Sequence, residues 1–177
     1  SGPGYQSPTS PGMSTRQMLE AAADGKLQVL WLVGAKLLEK YHDPDLARRA
    51  LERCPFVAVN ELTMTQTAEM ADLVLPVASV AEKDGTYANC ERRIQRIYKA
   101  FDLAPDIKPD WLVFSEVAAL LGSEWPYFSA RDVLKDIAAS VPIYAQVNPS
   151  ALGESGLRWR YPHETAPAAP IAPGAGE

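Results

Sequence analysis

The residues richest in chemistry lie between positions 73 and 97, LVLPVASVAEKDGTYANCERRIQRI. An apolar run gives way to Glu82, Lys83 and Asp84, then Gly85-Thr86, then Asn89, Glu91, Arg92 and Arg93. Arg92 and Arg93 carry planar guanidiniums whose donors match a phosphate bidentately. Thr86, Asn89 and free backbone N–H groups suit phosphate oxygens or the edge of a heterocycle. Gly85 permits a positive φ or a close approach of ligand to backbone, and is expected at a bend that a side chain would strain. Spacing alone favours a plainer reading, in which the acids and bases pair with one another around a long loop. Acid–base or nucleophilic catalysis finds no support. Ser79, Ser115 and Ser129 have no histidine near them in sequence, His42 and His163 stand alone, and Glu82 with Asp84 reads as loop structure. Cys54 and Cys90 form no ligand pattern, so neither catalytic nor metal-ligating residues are assigned. Cys54 is expected to be buried.

An alternation of helices and strands must position this stretch. STRQMLEAAADGK predicts a helix capped by Ser14 or Thr15, with Gln17 completing a capping box and Gly25 stopping it. LQVLWLVGA suits a central strand buried on both faces. Asp43 and Pro44 open a second helix, with Leu46, Ala47, Ala50, Leu51 and Cys54 on its apolar side. FVAVN is a second strand, TMTQTAEMAD a short helix capped by Thr63 or Thr65, and LVLPV a third strand. Strands alternating with helices imply a parallel sheet. The fold class is therefore α/β, a Rossmann-like half of a doubly wound sheet without the GxGxxG fingerprint, with additional C-terminal helices. Ligands of such sheets sit beyond the carboxyl ends of the strands, where the charged stretch begins. PDWLVFSEVAALLG predicts a helix capped by Asp110, with Val113, Val117, Leu120 and Leu121 inward and Gly122 at its end. SARDVLKDIAASV predicts another, capped by Ser129, and Asn148 opens at most one further helical turn. Trp125 and Trp159, in irregular stretches, are the better interface candidates among four tryptophans.

The 177 residues are 47% apolar and carry a formal net charge of −5. That length and composition describe one globular domain with tails. The divisions are an irregular segment at 1–13, an α/β body at 14–162 and a Pro/Ala-rich tail at 163–177. The acidic balance argues against nucleic-acid binding. No apolar run approaches the ~20 residues that span a bilayer, so no direct membrane insertion is expected.

ADLVLPVASVAEKDGTYANCERRIQ resembles the signature that ends the central region of molybdopterin oxidoreductases. The motif appears here as Thr65-Gln66-Thr67-Ala68, Ala71-Asp72 through Leu75-Pro76, Glu82-Lys83, Gly85-Thr86, Asn89, Glu91-Arg92-Arg93 and Gln95. KPDWLVFSEVAALLG and the ending ARDVLKDIAASVPIYAQVNPSALGESGLRW are similar to later family patterns, so the resemblance covers about 14–160. Formate dehydrogenases belong to this family, and so does the large iron–sulfur (G) subunit of NADH–quinone oxidoreductase, respiratory complex I. Other members often read Gly-Glu-Asn-Pro after the first strand, where this chain has Gly34-Ala35-Lys36-Leu37. With the ending, that departure makes the chain look like the C-terminal part of the complex I subunit's molybdopterin-like domain.

The resemblance implies a scaffold in an electron-transfer assembly, not catalytic by itself, partnered by other domains or subunits of a respiratory complex. It implies a cytoplasmic location, peripheral to the inner membrane. The alternative is a segment of an active oxidoreductase such as a formate dehydrogenase, and a second alternative is a free nucleotide-binding module. In pterin-containing relatives this region lies near a bis-guanine-dinucleotide cofactor. The candidate cofactor-binding residues are then Gly34, Glu82, Lys83, Gly85, Thr86, Asn89, Arg92 and Arg93, vestigial in the scaffold reading. No cofactor is expected in this chain alone; molybdopterin guanine dinucleotide belongs to the full parent protein.

Overall fold

The computed structural model describes residues 10–147, 149–150, 152–153 and 155–159. Most of the segment at 1–13, the tail at 163–177 and Asn148 lie outside them. The chain divides into two compact units, one of 2–83 with 98–126 and the other of 84–97 with 127–177.

The first unit opens with α1 (Thr15–Ala23). The Ser14 side chain accepts from the Gln17 N–H while the Gln17 side chain reaches back to Ser14, the expected capping box. Gly25 follows at φ +72° and ends it. Then come β1 (Leu30–Val33), a short α2 (Leu37–Lys40) that sequence reading missed, and α3 (Pro44–Arg53). The Asp43 carboxylate caps α3 through the Leu46 N–H, and the five expected apolar residues, Cys54 included, are all buried. After β2 (Val57–Glu61), the Thr65 hydroxyl caps α4 (Gln66–Glu69), and β3 (Leu73–Pro76) follows. The sheet is parallel in the order β1-β2-β3, with Val59 between Leu32 and Val74. Asp72 ties β3 to β2 from both ends of one residue: its carboxylate accepts from Val57 N–H at 2.7 Å, and its own N–H donates to Val57 carbonyl.

The structure departs from three of these expectations. The doubly buried central strand is β2, buried at all five positions, while β1 lies at an edge with Val33 exposed. In α5 (Asp110–Leu120), Val113, Ser115 and Ala118 are buried, whereas Leu120 and Leu121 are 87% and 81% exposed. This helix is apolar around most of its circumference, so periodicity could not select its buried face. Nor does Asp110 cap it. The N-cap is Pro109, without a side-chain bond, and Asp110 is the first helical residue with its carboxylate engaged elsewhere. Gly122, at φ +85°, ends the helix as expected.

The second unit replaces the expected long loop with a hairpin. β4 (Gly85–Ala88) and β5 (Arg93–Ile97) pair antiparallel, and β6 (Leu157–Arg158) adds to β5, giving the order β4-β5-β6. α6 (Ala130–Ser140) is capped by Ser129, as expected. Ile94, Leu134, Val147 and Leu152 form the core, with Tyr144, Leu157 and Trp159 against it. Trp159 is partly buried against this core, its ring 5.7 Å from that of Tyr144. The α/β fold class holds, and the antiparallel sheet is an addition to it. Among the described residues no helix is long and apolar enough to cross a membrane.

Candidate functional site at the carboxyl edge of the parallel sheet

β2 ends in two polar residues that are fully inside the protein. Asn60 is 0% exposed and Glu61 4%. A buried polar side chain costs free energy unless it is hydrogen-bonded, and Asn60 is. Its Oδ1 accepts from Trp31 Nε1 at 2.8 Å, and its Nδ2 donates to Asp110 Oδ1 at 3.4 Å. Asp110 Oδ2 in turn accepts from Lys83 Nζ at 2.9 Å in a half-buried ion pair. The chain Trp31–Asn60–Asp110–Lys83 therefore links β1, β2, the start of α5 and the segment after β3. Gly34 closes β1 beside it, its N–H donating to the Asn60 carbonyl at 2.9 Å. Its φ of +60° lies where glycine is favoured, and the space where a Cβ would stand is open.

Glu61 is satisfied on one side only. Its Oε1 accepts from the Leu62 N–H at 2.9 Å, whereas Oε2 is buried with no partner. No donor for that oxygen is found among the described residues.

Two flanking carboxylates are occupied. Burial pushes the Glu39 carboxyl up, but the Thr67 hydroxyl at 2.8 Å and nearby backbone N–H groups outweigh it and hold it below its ordinary value. Glu82 closes a capping box around the 3-10 turn Val80–Glu82, accepting from the Ser79 N–H at 2.9 Å. The Ser79 side chain and N–H keep its carboxyl below the ordinary value.

The sequence-derived candidates fall on both sides of the division between units. Gly34, Glu82 and Lys83 belong to the first; Gly85, Thr86, Asn89, Arg92 and Arg93 belong to the second. In the second unit Asn89 organises the hairpin turn, its Oδ1 accepting from the N–H groups of Glu91 and Arg93 at 2.9 and 3.0 Å. Arg92 takes φ +65°, and its guanidinium lies 5.6 Å over the Trp159 ring. Arg93 Nη1 donates to the Ser155 carbonyl at 3.1 Å. Thr86 sits in β4 opposite Arg96. Gly85 is not at a strained bend. It pairs with Ile97 in β4, its φ is not positive, and a Cβ there would meet nothing within 4 Å.

Sequence reading missed Asn60 and Glu61 and misassigned Asp110. The signal was present: VAVNE is an apolar strand ending in two polar residues at the carboxyl edge, where ligands of parallel sheets sit. Among the described residues, no group of three or more His, Cys, Asp or Glu could hold a metal ion.

A sequence model of the molybdopterin oxidoreductase family matches residues 2–120. Among curated proteins, the chain is 36% identical over 157 residues to YjgC of Bacillus subtilis, provisionally named an oxidoreductase, covering 88% of this chain and 16% of that protein. It is 35% identical over 150 residues to YrhE of the same organism, covering 84% and 15%. It is 38% identical over 151 residues to SH0748 of Staphylococcus haemolyticus, covering 85% and 15%. The last two are provisionally named formate dehydrogenases. This chain thus spans 15–16% of the length of these relatives. In fold it is similar to acetylene hydratase from Pelobacter acetylenicus, with a TM-score of 0.61 at 21% identity over 67% of this chain and 17% of the other.

Proposed function

The chain belongs to the molybdopterin oxidoreductase family, and on that premise we propose that it is a segment of a longer enzyme of the formate dehydrogenase type. This replaces the complex I scaffold as the preferred reading, because the relatives described above bear formate dehydrogenase or oxidoreductase names and none is named an NADH–quinone oxidoreductase. The segment's role is to line a guanine-dinucleotide form of the cofactor, and its partners are the other domains of the longer chain.

The observation that carries this reading is Glu61 Oε2, a buried acceptor without a donor at the carboxyl edge of β2. Guanine presents adjacent N–H donors that a carboxylate accepts well, and a carboxylate oxygen left alone in the interior gains most from such a partner. Gly34 leaves room for a ligand beside the backbone. Lys83 keeps donors beyond the one it gives Asp110, and these suit the pyrophosphate. The residues present therefore fit the group. When bound, the cofactor supplies two-electron redox chemistry at its metal; this segment binds and orients it. Asn89 and Arg93 act first within their own unit, through the turn and Ser155.

The test is Glu61→Gln in the full-length parent. Replacing an acceptor oxygen by an NH2 group is expected to lower bound guanine dinucleotide about tenfold at limiting cofactor, as for loss of a charge-assisted hydrogen bond. Released guanine nucleotide, measured by chromatography, reads the occupancy. Unchanged occupancy in a normally folded variant would remove Glu61 from the site.

A further inference from the structure

We infer that the outer face of the antiparallel sheet in the second unit binds a phosphate-type oxyanion between Arg93 and Arg158. This goes beyond the reading above, since its site lies in a different unit from Glu61, Gly34 and Lys83 and needs no pterin.

Side chains directly opposite in an antiparallel pair share one face, and alternate residues share it along a strand. The pairing sets Arg93 opposite Arg158, Gln95 opposite Tyr87 and Ile97 opposite Gly85 on one face. Ile94, Leu157 and Thr86 lie on the other, which carries the core. The outer face thus presents two guanidiniums, a phenol and a carboxamide, and no acid stands among its paired positions. Tyr87, Gln95 and Arg158 are exposed.

Like charges directly opposite destabilise a strand pair, with Cβ atoms only about 4.5–5.5 Å apart. A sheet normally avoids this by register, but here the register is pinned. A Cβ at Gly156 would stand 2.3 Å from the Ile94 carbonyl, so the chain approaches β5 at the one residue type that permits it. The Trp159 N–H donates to the Arg92 carbonyl at 3.0 Å. Leu157 opposite Ile94 faces the core, and a slip by one residue would turn it outward. The two arginines are held together by contacts that are not their own. Arg93 gives one nitrogen to the Ser155 carbonyl; among the described residues none holds the Arg158 guanidinium. A doubly charged oxyanion between them turns the repulsion into two bidentate contacts. The chain as a whole carries net charge −5, so this basic pair is a local departure from its surface.

Thermal unfolding of the full chain in inorganic phosphate, at ionic strength held constant with chloride, tests the site. Phosphate is expected to raise the wild-type midpoint saturably. Arg158→Gln is expected to unfold at a higher temperature than wild type without phosphate, because the repulsion is gone, and to respond to phosphate about tenfold more weakly, as for loss of one charge-assisted contact. Arg93→Gln should weaken binding likewise; if loss of its bond to Ser155 unfolds the unit, Arg158→Gln still decides. A nucleoside diphosphate that acts at lower concentration than phosphate identifies a nucleotide as the source of the anion, and equal potency identifies phosphate alone. A wild-type midpoint indifferent to phosphate, or an Arg158→Gln response equal to wild type, would overturn the site.

Discussion

Gly156 and Gly85 exchange the roles that their sequence contexts suggest. Gly85 sits among charged residues and reads as a bend, yet it is a plain strand position with open space at its Cβ. Gly156 sits in an unassuming stretch, yet it is at φ +69° with the Ile94 backbone where a side chain would go. Gly85→Val should therefore change stability by less than about 1 kcal/mol, and the strand preference of valine favours a gain. Gly156→Ala combines a left-handed φ with a backbone clash and should cost about 2–4 kcal/mol. Denaturant midpoints of the two variants, compared with wild type, check both; equal effects would contradict the assigned backbone geometry. The same contrast between appearance and role applies to Asp110. It looks like a helix cap and is instead the acceptor that joins Asn60 to Lys83.

The hairpin is where local chemistry is most concentrated at the scale of an element. Asn89 and Arg93 bracket a three-residue connection, with the Arg92 N–H donating to the Asn89 carbonyl and the Asn89 N–H to the Arg93 carbonyl. A turn followed by one left-handed residue is a common way to close a three-residue hairpin loop, and Arg92 fills the left-handed place at a cost of roughly 1–2 kcal/mol relative to glycine. The Asn89 carboxamide offsets that cost by accepting two backbone N–H groups. Asn89→Ala removes both bonds and should destabilise the second unit by about 1–2 kcal/mol, whereas Asn89→Asp keeps the acceptor and should lose far less. Amide hydrogen exchange at Glu91 and Arg93 distinguishes the outcomes: unchanged protection in the alanine variant would mean that the turn is held from elsewhere. α3 is the opposite case, an element whose cap, first-turn proline and buried face are all written locally.

At the scale of the molecule, large apolar side chains stand on the surface. Leu120 and Leu121 end α5 almost wholly exposed, and adjacent exposed leucines are a liability for a free chain. The isolated chain should therefore self-associate at micromolar concentration. Replacing both with lysine should shift it toward monomer with little change in stability, since neither residue is buried. Sedimentation measures this directly, and an identical association state in the double variant would place the sticky surface elsewhere. That these leucines were expected inside shows the limit of helical periodicity. In LVFSEVAALL too many positions are apolar for the pattern to choose a side.

The sequence by itself determined the parallel α/β half of this protein, because each of its signals is local. Ser14 with Gln17, Asp43 with Pro44, and Thr65 before Gln66 are caps whose partners lie within three residues, and the short β-branched apolar runs between them suit strands, although Leu37-Leu38 opens the short helix α2. Family membership was equally legible, since the long motif through Arg93 and Gln95 survives in order. Tertiary structure alone decided the rest. The central strand is β2 and not β1 because strand order depends on which edges meet across 25 or so residues of chain. The hairpin of the charged stretch closes through its own turn at Asn89, but its third strand, β6, comes from more than 60 positions away in sequence. The position of Glu61 at the carboxyl edge of β2 was legible in VAVNE, but the burial of its Oε2 without a donor is a property of the space around it, which only the tertiary structure decides.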